Sequence, residues 1–391
     1  MDLVERAGQL KPMLVEFAMS PRFDRELSAA IAQNFPGGVV TDEALLSMVL
    51  DHFALQHRLP SGTTVVEAFV AAHHELTGAE RDMLLGWQDV VEGIFEVTGK
   101  DRDALLLVNF LDELAYRARS NLGRRAFKPL KKGMIVVGRL VRAGEEWMVS
   151  GNPAAFPASA RGQMLAAAAE QAMRSPETVF RNPAKLTEAR RILARQHEAF
   201  ANLFGTDIIV VPGAEVPGKV EAFHRHLAQQ GRPGTDPPPI ASLDFHGDLL
   251  AADSVAIHFA SGEGLSFYPD YRLLEELFSN PALISRRRYR ETLSGYLRDP
   301  DTSPEPLRRL ATRDPAKAST VFTRLLKRKR RFSWTTDGEQ LLRRHKPSYF
   351  DGTLLPRTVP LSEPLSGALR HTRKDRPGHT PAAHLPPGTT P

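Results

Sequence analysis

The hydrophobic period of this chain changes twice, and that limits the folds open to it. Up to about residue 92 the apolar residues recur at helical spacing. Asp42 is placed to cap a helix in which Leu45, Leu46, Val49, Leu50, Phe53 and Ala54 follow at i, i+3 and i+4. A second helix starts near Thr64 with Val65, Ala68, Phe69 and Ala72 on one face. A third starts at Thr77, where Thr77 and Glu80 form a capping box ahead of Met83, Leu84 and Trp87. From Gly93 the pattern becomes short strands: Gly93–Thr98, Ala104–Phe110, Leu114–Ser120, then Met134–Ala143 and Glu145–Ser150 as a hairpin across Gly144. Such short strands packed so closely predict a small SH3-like or OB-like β-barrel near residues 93–151. Arg124, Arg125, Lys128, Lys131 and Lys132 fall in its long loop. After residue 158 helical spacing returns.

The expected organisation is a helical segment (1–92), the small barrel (93–151), a helical connector (152–230), a linker at 231–239 (GRPGTDPPP), a basic α-rich domain (240–350) and a Pro/Gly-rich tail (351–391). Within the connector Thr206–Val211 reads as a strand and Pro217–Gln230 as a helix. The basic domain holds a strand at Ser254–Ala260. Its helices are expected near Tyr271–Phe278, Pro281–Leu297, Pro304–Thr312, Pro315–Lys329 and Asp337–His345. Beyond about residue 370 few large apolar side chains remain to offset the entropy of ordering, so disorder is expected there. The fold class is therefore α+β, mainly helical, with a C-terminal helical domain. A length of 391 residues suits two or three domains.

Charge is unevenly distributed. Residues 281–391 carry 23 Lys and Arg against 10 Asp and Glu, a net of +13, whereas the preceding 280 residues carry a net of −8. That polarity points to a polyanionic partner, nucleic acid first. One cluster is Arg324, Lys327, Arg328, Lys329, Arg330 and Arg331, followed by Phe332 and Trp334, which can stack on bases or enter the core. A second is Arg286, Arg287 and Arg288, with Tyr289 and Arg290. Cations suit a helix C-terminus, but the first cluster exceeds what capping needs. Such clusters supply phosphate affinity without reading sequence. A helix-turn-helix across Pro304–Lys329 is a weak match: Pro315 stands where Gly is preferred and Arg324 where an apolar residue is expected.

The remaining motifs are incomplete. Gly213-Ala-Glu-Val-Pro-Gly218-Lys219 fits G-x-x-x-x-G-K between a strand and a helix, the setting of a phosphate-cradling loop. However, Val220 replaces the Mg²⁺-binding hydroxyl, and Pro217 removes an N–H from the cradle. A turn before an amphipathic helix accounts for the same residues. Asp244-Phe-His246-Gly-Asp248, with Asp253, looks like the first metal motif of calcineurin-like phosphoesterases, but the family's further motifs are missing. His73 with His74, and His224 with His226, are too close along a helix to converge on one metal. The chain has no cysteine, which excludes disulfides, thiolate zinc sites, cysteine-ligated iron–sulfur clusters and thiol catalysis. No apolar run reaches the ~18 residues of a membrane span, and the first residues hold no signal core, so a cytoplasmic protein is expected.

One resemblance adds to this. From Leu45 to Gly151 the Gln56-His57-Arg58-Leu59 turn, the Glu80-Arg81 helix with Trp87, Phe95-Glu96-Val97, Tyr116-Arg117-Ala118-Arg119 and Trp147-Met148-Val149-Ser150-Gly151 resemble an uncharacterised bacterial family. Some of its members carry a C-terminal SEC-C zinc motif, which a chain without cysteine lacks. Gly264-Leu-Ser-Phe267, Tyr271 to Phe278, Arg308-Arg309-Leu310-Ala311 and Trp334 to Lys346-Pro347 resemble the later part of that family. The resemblance implies a non-secreted α+β bacterial protein and transfers no catalytic residue. The expected function is non-enzymatic and regulatory: nucleic-acid binding through Arg324, Lys327, Arg328, Lys329, Arg330 and Arg331, with Arg286, Arg287 and Arg288 second. No cofactor or metal is expected. The alternatives are a nucleotide-dependent enzyme using Gly213, Gly218 and Lys219, or a module docking an acidic protein.

Overall fold

The structure, a computed structural model, describes residues 3–35, 43–230, 245, 247–327, 331–352 and 354–374. These divide into two compact units, residues 1–182 with 361–391, and residues 183–360. The fold class is α+β.

Unit 1 begins with α1 (Leu3–Ala18), α2 (Asp24–Asn34), α3 (Glu43–Leu55), α4 (Val65–Ala72) and α5 (Gly78–Gly86). Capping boxes set the starts of α4 and α5. Thr64 and Glu67, then Thr77 and Glu80, each exchange side-chain and backbone hydrogen bonds, which satisfies otherwise orphaned N–H donors. Leu10, Leu14, Phe53, Phe69 and Trp87 form the core between the helices, and the Trp87 indole donates to the Arg142 carbonyl at 2.8 Å.

The strands follow as β1 (Val91–Asp101), β2 (Ala104–Asn109), β3 (Ala115–Arg119), β4 (Ile135–Ala143) and β5 (Glu146–Phe156), close to the expected runs. They form one mixed sheet in the order β1-β2-β3-β5-β4, and β4 returns to pair with β1. The β3–β5 contact is parallel; the other pairings are antiparallel. Gly93 lets Asn109 of β2 approach closely, since a Cβ at this position would lie 2.4 Å from Asn109 Oδ1. After the sheet come α6 (Arg161–Arg174) and the short α7 (Pro176–Val179).

The expected tail is partly structured. Its residues Glu363–Lys374 form a helix, numbered α16 in chain order, that packs on α6. Leu361, Leu365 and Leu369 recur every four residues, and that single stripe suffices to bury Leu365 among Ile94, Ile135, Leu165 and Ala168. Disorder is expected from about residue 370, but residues 370–374 complete this helix; residues 375–391 lie outside the described residues, as does the 231–239 linker.

Unit 2 contains α8 (Pro183–Phe204), β6 (Ile208–Val211), α9 (Val216–Gln229), α10 (Gly247–Ala251), β7 (Val255–Ala260) and β8 (Gly264–Pro269). Then follow α11 (Tyr271–Ser279), α12 (Arg287–Arg298), α13 (Glu305–Arg313), α14 (Pro315–Leu326) and α15 (Trp334–His345). The three strands make an antiparallel sheet, β6-β7-β8. Val255, Ile257 and Phe259 pack with Phe200, Val220 and Phe223 of α8 and α9. The intervening Ala256 joins Tyr268 in the core built by α11–α15. Helices thus cover both faces of the sheet, which explains why five consecutive β7 residues are buried.

The two units divide the chain within the expected connector. The 152–230 connector is not one element: α6 and α7 belong to unit 1, while α8, β6 and α9 belong to unit 2. The strand expected at Ser254–Ala260 is β7, and it pairs with β8 and with β6 of the earlier segment.

Candidate nucleic-acid interface

The 286–290 cluster opens α12, where its charge opposes the helix dipole. Part of it is neutralised locally. Arg287 pairs with Glu291 at 2.7 Å, and Arg288 reaches Asp253 at 2.7 Å and Asp270 at 3.4 Å. Tyr289 donates to Glu276. Arg286 and Arg290 are exposed and have no ion pair among the described residues.

The second cluster begins on α14. Arg324 donates to the Pro281 carbonyl at 3.1 Å, and Lys327 ends the helix with φ +49°. Arg328, Lys329 and Arg330 lie outside the described residues. Arg331 is exposed, but the two aromatic residues after it turn inward. Phe332 is 2% exposed and Trp334 8%, and both pack on Phe322. The backbone N–H groups of Phe332 and Trp334 donate to Thr323 and Ser319 of α14, which fixes the inward turn. These rings are core residues and present no face for base stacking.

Sequence reading did not single out the residues that line a cleft together with Arg331. Arg343 and Arg344, in the last turn of α15, line with Arg331 and Gln340 an open cleft of about 620 Å³. Asp337 is the one carboxylate among its lining residues. Arg343 also lies 4.6 Å over the Phe350 ring and 3.7 Å from Glu339. The available signal was the adjacent pair Arg343-Arg344 at a helix end. α13 and α14 are joined through Asp314, which caps α14 by accepting from the Lys317 N–H at 3.0 Å. Ala311 and Val321 are buried in one core, as in any packed helix pair.

The backbone around Gly213 argues against the phosphate-loop alternative. Gly213–Glu215 is a 3₁₀ turn, and α9 already includes Gly218 and Lys219. The Gly213 N–H donates to Ala252 at 3.0 Å, Glu215 N–H to Pro212 at 3.0 Å, and Val216 N–H to Gly213. A Cβ on Gly213 would lie 2.3 Å from the Leu249 carbonyl. The glycine therefore admits the neighbouring chain closely, and its N–H is not free to cradle phosphate. Among the described residues the preceding strand β6 pairs antiparallel with β7.

Asp244 and His246 of the metal-like motif lie outside the described residues. Asp253 is held by Arg288, and no group of three or more metal-ligating side chains assembles among the described residues. His258, in contrast, reaches a second cleft of about 320 Å³ in unit 2, along with Asp207, Glu263 and Ser303. Asp207 accepts two 2.8 Å hydrogen bonds from Arg309, which push its carboxyl down to about 2. His258 Nε2 is 3.8 Å from Asp207 Oδ2, and burial lowers the pKa of the ring. Burial raises the pKa of Glu263, whose carboxylate meets Ser303 at 3.4 Å.

In comparisons with known proteins, no family model, no curated protein and no solved structure matches the chain. Among the described residues no helix is long and apolar enough to cross a membrane.

Proposed function

We propose that this protein binds nucleic acid through basic side chains of unit 2, in a regulatory and non-catalytic role in the cytoplasm. One observation carries the reading: Arg331, Arg343 and Arg344 converge on a single open cleft that has one lining carboxylate. Arginine suits phosphate because its planar fork donates two parallel hydrogen bonds. Arg286, Arg290, Arg324 and Lys327 are further exposed cations of the same unit. With Phe332 and Trp334 buried, contact is to the backbone rather than to bases, so affinity varies little with sequence. The returning strand order of unit 1 supports an SH3-like or OB-like barrel, and the resemblance to the bacterial family belongs to the same reading.

Fluorescence anisotropy with random duplex DNA and with RNA, from low to physiological salt, tests it. Changing Arg331, Arg343 and Arg344 to Gln is expected to flatten the log–log salt dependence on duplex DNA by about 2–3, near 0.9 for each phosphate no longer neutralised. A variant with unaltered affinity and slope overturns the reading. A partner that co-purifies and survives nuclease treatment would indicate an acidic protein instead.

A further inference from the structure

Unit 1 contains a cationic surface of its own. Between Leu114 and Gly144 the sequence has nine Lys and Arg and no Asp or Glu. Four of the nine are engaged within the unit. Arg117 and Arg119 pair with Asp101, Asp103 and Glu146. Arg139 is buried beside Asp51, and Arg142 lies 4.2 Å over the Trp147 ring. The other five are Arg124, Arg125, Lys128, Lys131 and Lys132. All are exposed, and none has an ion pair among the described residues.

These five sit on an ordered segment between β3 and β4. Residues Arg124–Phe127 form a 3₁₀ turn, and Phe127 is 7% exposed in a core shared with Tyr116 and Trp147. Successive turn hydrogen bonds run from Gly123 to Ser120, Ala126 to Gly123, Lys128 to Arg125 and Leu130 to Phe127. At its end Gly133 donates to Val97 at 2.8 Å, tying the segment to β1. Lys100 adds a sixth cation, its ammonium group donating to the Lys128 carbonyl at 3.4 Å. The carboxylates of Asp101, Asp103 and Glu146 already hold Arg117 and Arg119, and Glu96 holds Arg161. Among the described residues the like charges of the segment therefore form no ion pair, and a polyanion would supply the counter-charge. Phe127, Tyr116 and Trp147 are buried, so base stacking has no platform here. Leu122 is 77% exposed, but one leucine adds little to a bilayer contact.

We propose that the β3–β4 segment is a second phosphate-backbone surface for nucleic acid, built from residues independent of the arginine cleft in unit 2. Repetition of anionic groups along one strand is the ligand property that matches several fixed cations and no ring.

The test uses the full chain and a short random-sequence duplex. In one variant Arg124, Arg125, Lys128, Lys131 and Lys132 are all changed to Gln. Its salt slope is expected to fall by about 4, with an affinity loss of about tenfold or more at low salt. A smaller variant, Lys131→Gln with Lys132→Gln, is expected to lower the slope by about 2 and decides the matter if the larger one does not fold. A folded variant with the wild-type slope overturns the proposal. So does wild-type protein that binds phosphatidylserine vesicles and not the duplex. Binding abolished in the arginine-cleft variant but kept in the loop variant sinks this inference alone. The reverse result sinks the unit 2 reading alone.

Discussion

Asp51 in unit 1 and Asp207 in unit 2 are both carboxylates bound by arginine, yet they do different work. Asp51 is 3% exposed and meets three elements at once. It accepts from Lys11 of α1 at 2.5 Å and Ser150 of β5 at 2.7 Å, with Arg139 Nε of β4 at 3.2 Å. Arg139 also donates to Gln56 at 2.5 Å. Asp207 is bound bidentately by Arg309, but its side chain remains 34% exposed at the edge of the His258 cleft. Burial turns the first constellation into a clamp between helices and sheet. Water access leaves the second as a polar rim whose groups can still meet a ligand.

The largest expected effect tests the clamp. Asp51→Asn leaves Lys11 and Arg139 buried without a carboxylate, and denaturant unfolding is expected to show a loss of about 3–5 kcal/mol. Asp207→Asn is the matched change, and solvent around Arg309 is expected to hold the loss to about 1 kcal/mol. Equal costs for the two would break the comparison, because burial would not then be the deciding variable.

A pH experiment probes a buried charge in unit 2. Lys346 is fully buried and donates to the Asp299 and Thr302 carbonyls, both at 2.6 Å. Desolvation lowers its pKa to about 8 from an ordinary 10.5. Between those values the unfolded chain binds more protons than the folded one, so stability rises with pH. Unfolding free energy is expected to climb between pH 8 and 10, by at most about 3 kcal/mol. A flat profile would show that the ammonium group is better compensated than its surroundings suggest.

Acid sharpens the contrast from the other side. The Asp207 carboxyl is held near 2 by Arg309 first, so its contribution is present above about pH 4 and is lost as pH falls toward 2. The Asp207→Asn protein is expected to lose less stability than the parent over that range, measured by thermal melts at each pH. The smallest effect concerns Lys219, which lies in α9 behind an occupied backbone. Lys219→Ala is expected to stay within ~0.5 kcal/mol of the parent in stability. Neither protein is expected to shift its melting temperature with Mg-ATP.

Much of the local structure was legible because it depends on near neighbours. The Thr77–Glu80 box, the hairpin across Gly144 and the helix of Tyr271–Phe278 each follow from a few adjacent residues. β8 was missed: its residues Leu265, Ser266 and Phe267 are too few to set a period, and pairing with β7 is what makes them a strand. α16 was missed because composition averages hid one leucine stripe. Of the candidate site, the charge was readable and the geometry was not. Phe332 and Trp334 stood beside the cations in sequence but face the core, whereas Arg343 and Arg344 stood apart and share the cleft with Arg331.

The sequence alone determined most of the element types, β8 and α16 excepted, the basic C-terminal region and the exclusion of cysteine chemistry, since these rest on residue identity and short-range spacing. The tertiary structure decided which cations are free. Carboxylates far along the chain, such as Asp253 for Arg288 and Asp51 for Arg139, neutralise some arginines and leave others open. Ion pairing falls off with distance in space, and spacing along the chain does not fix that distance.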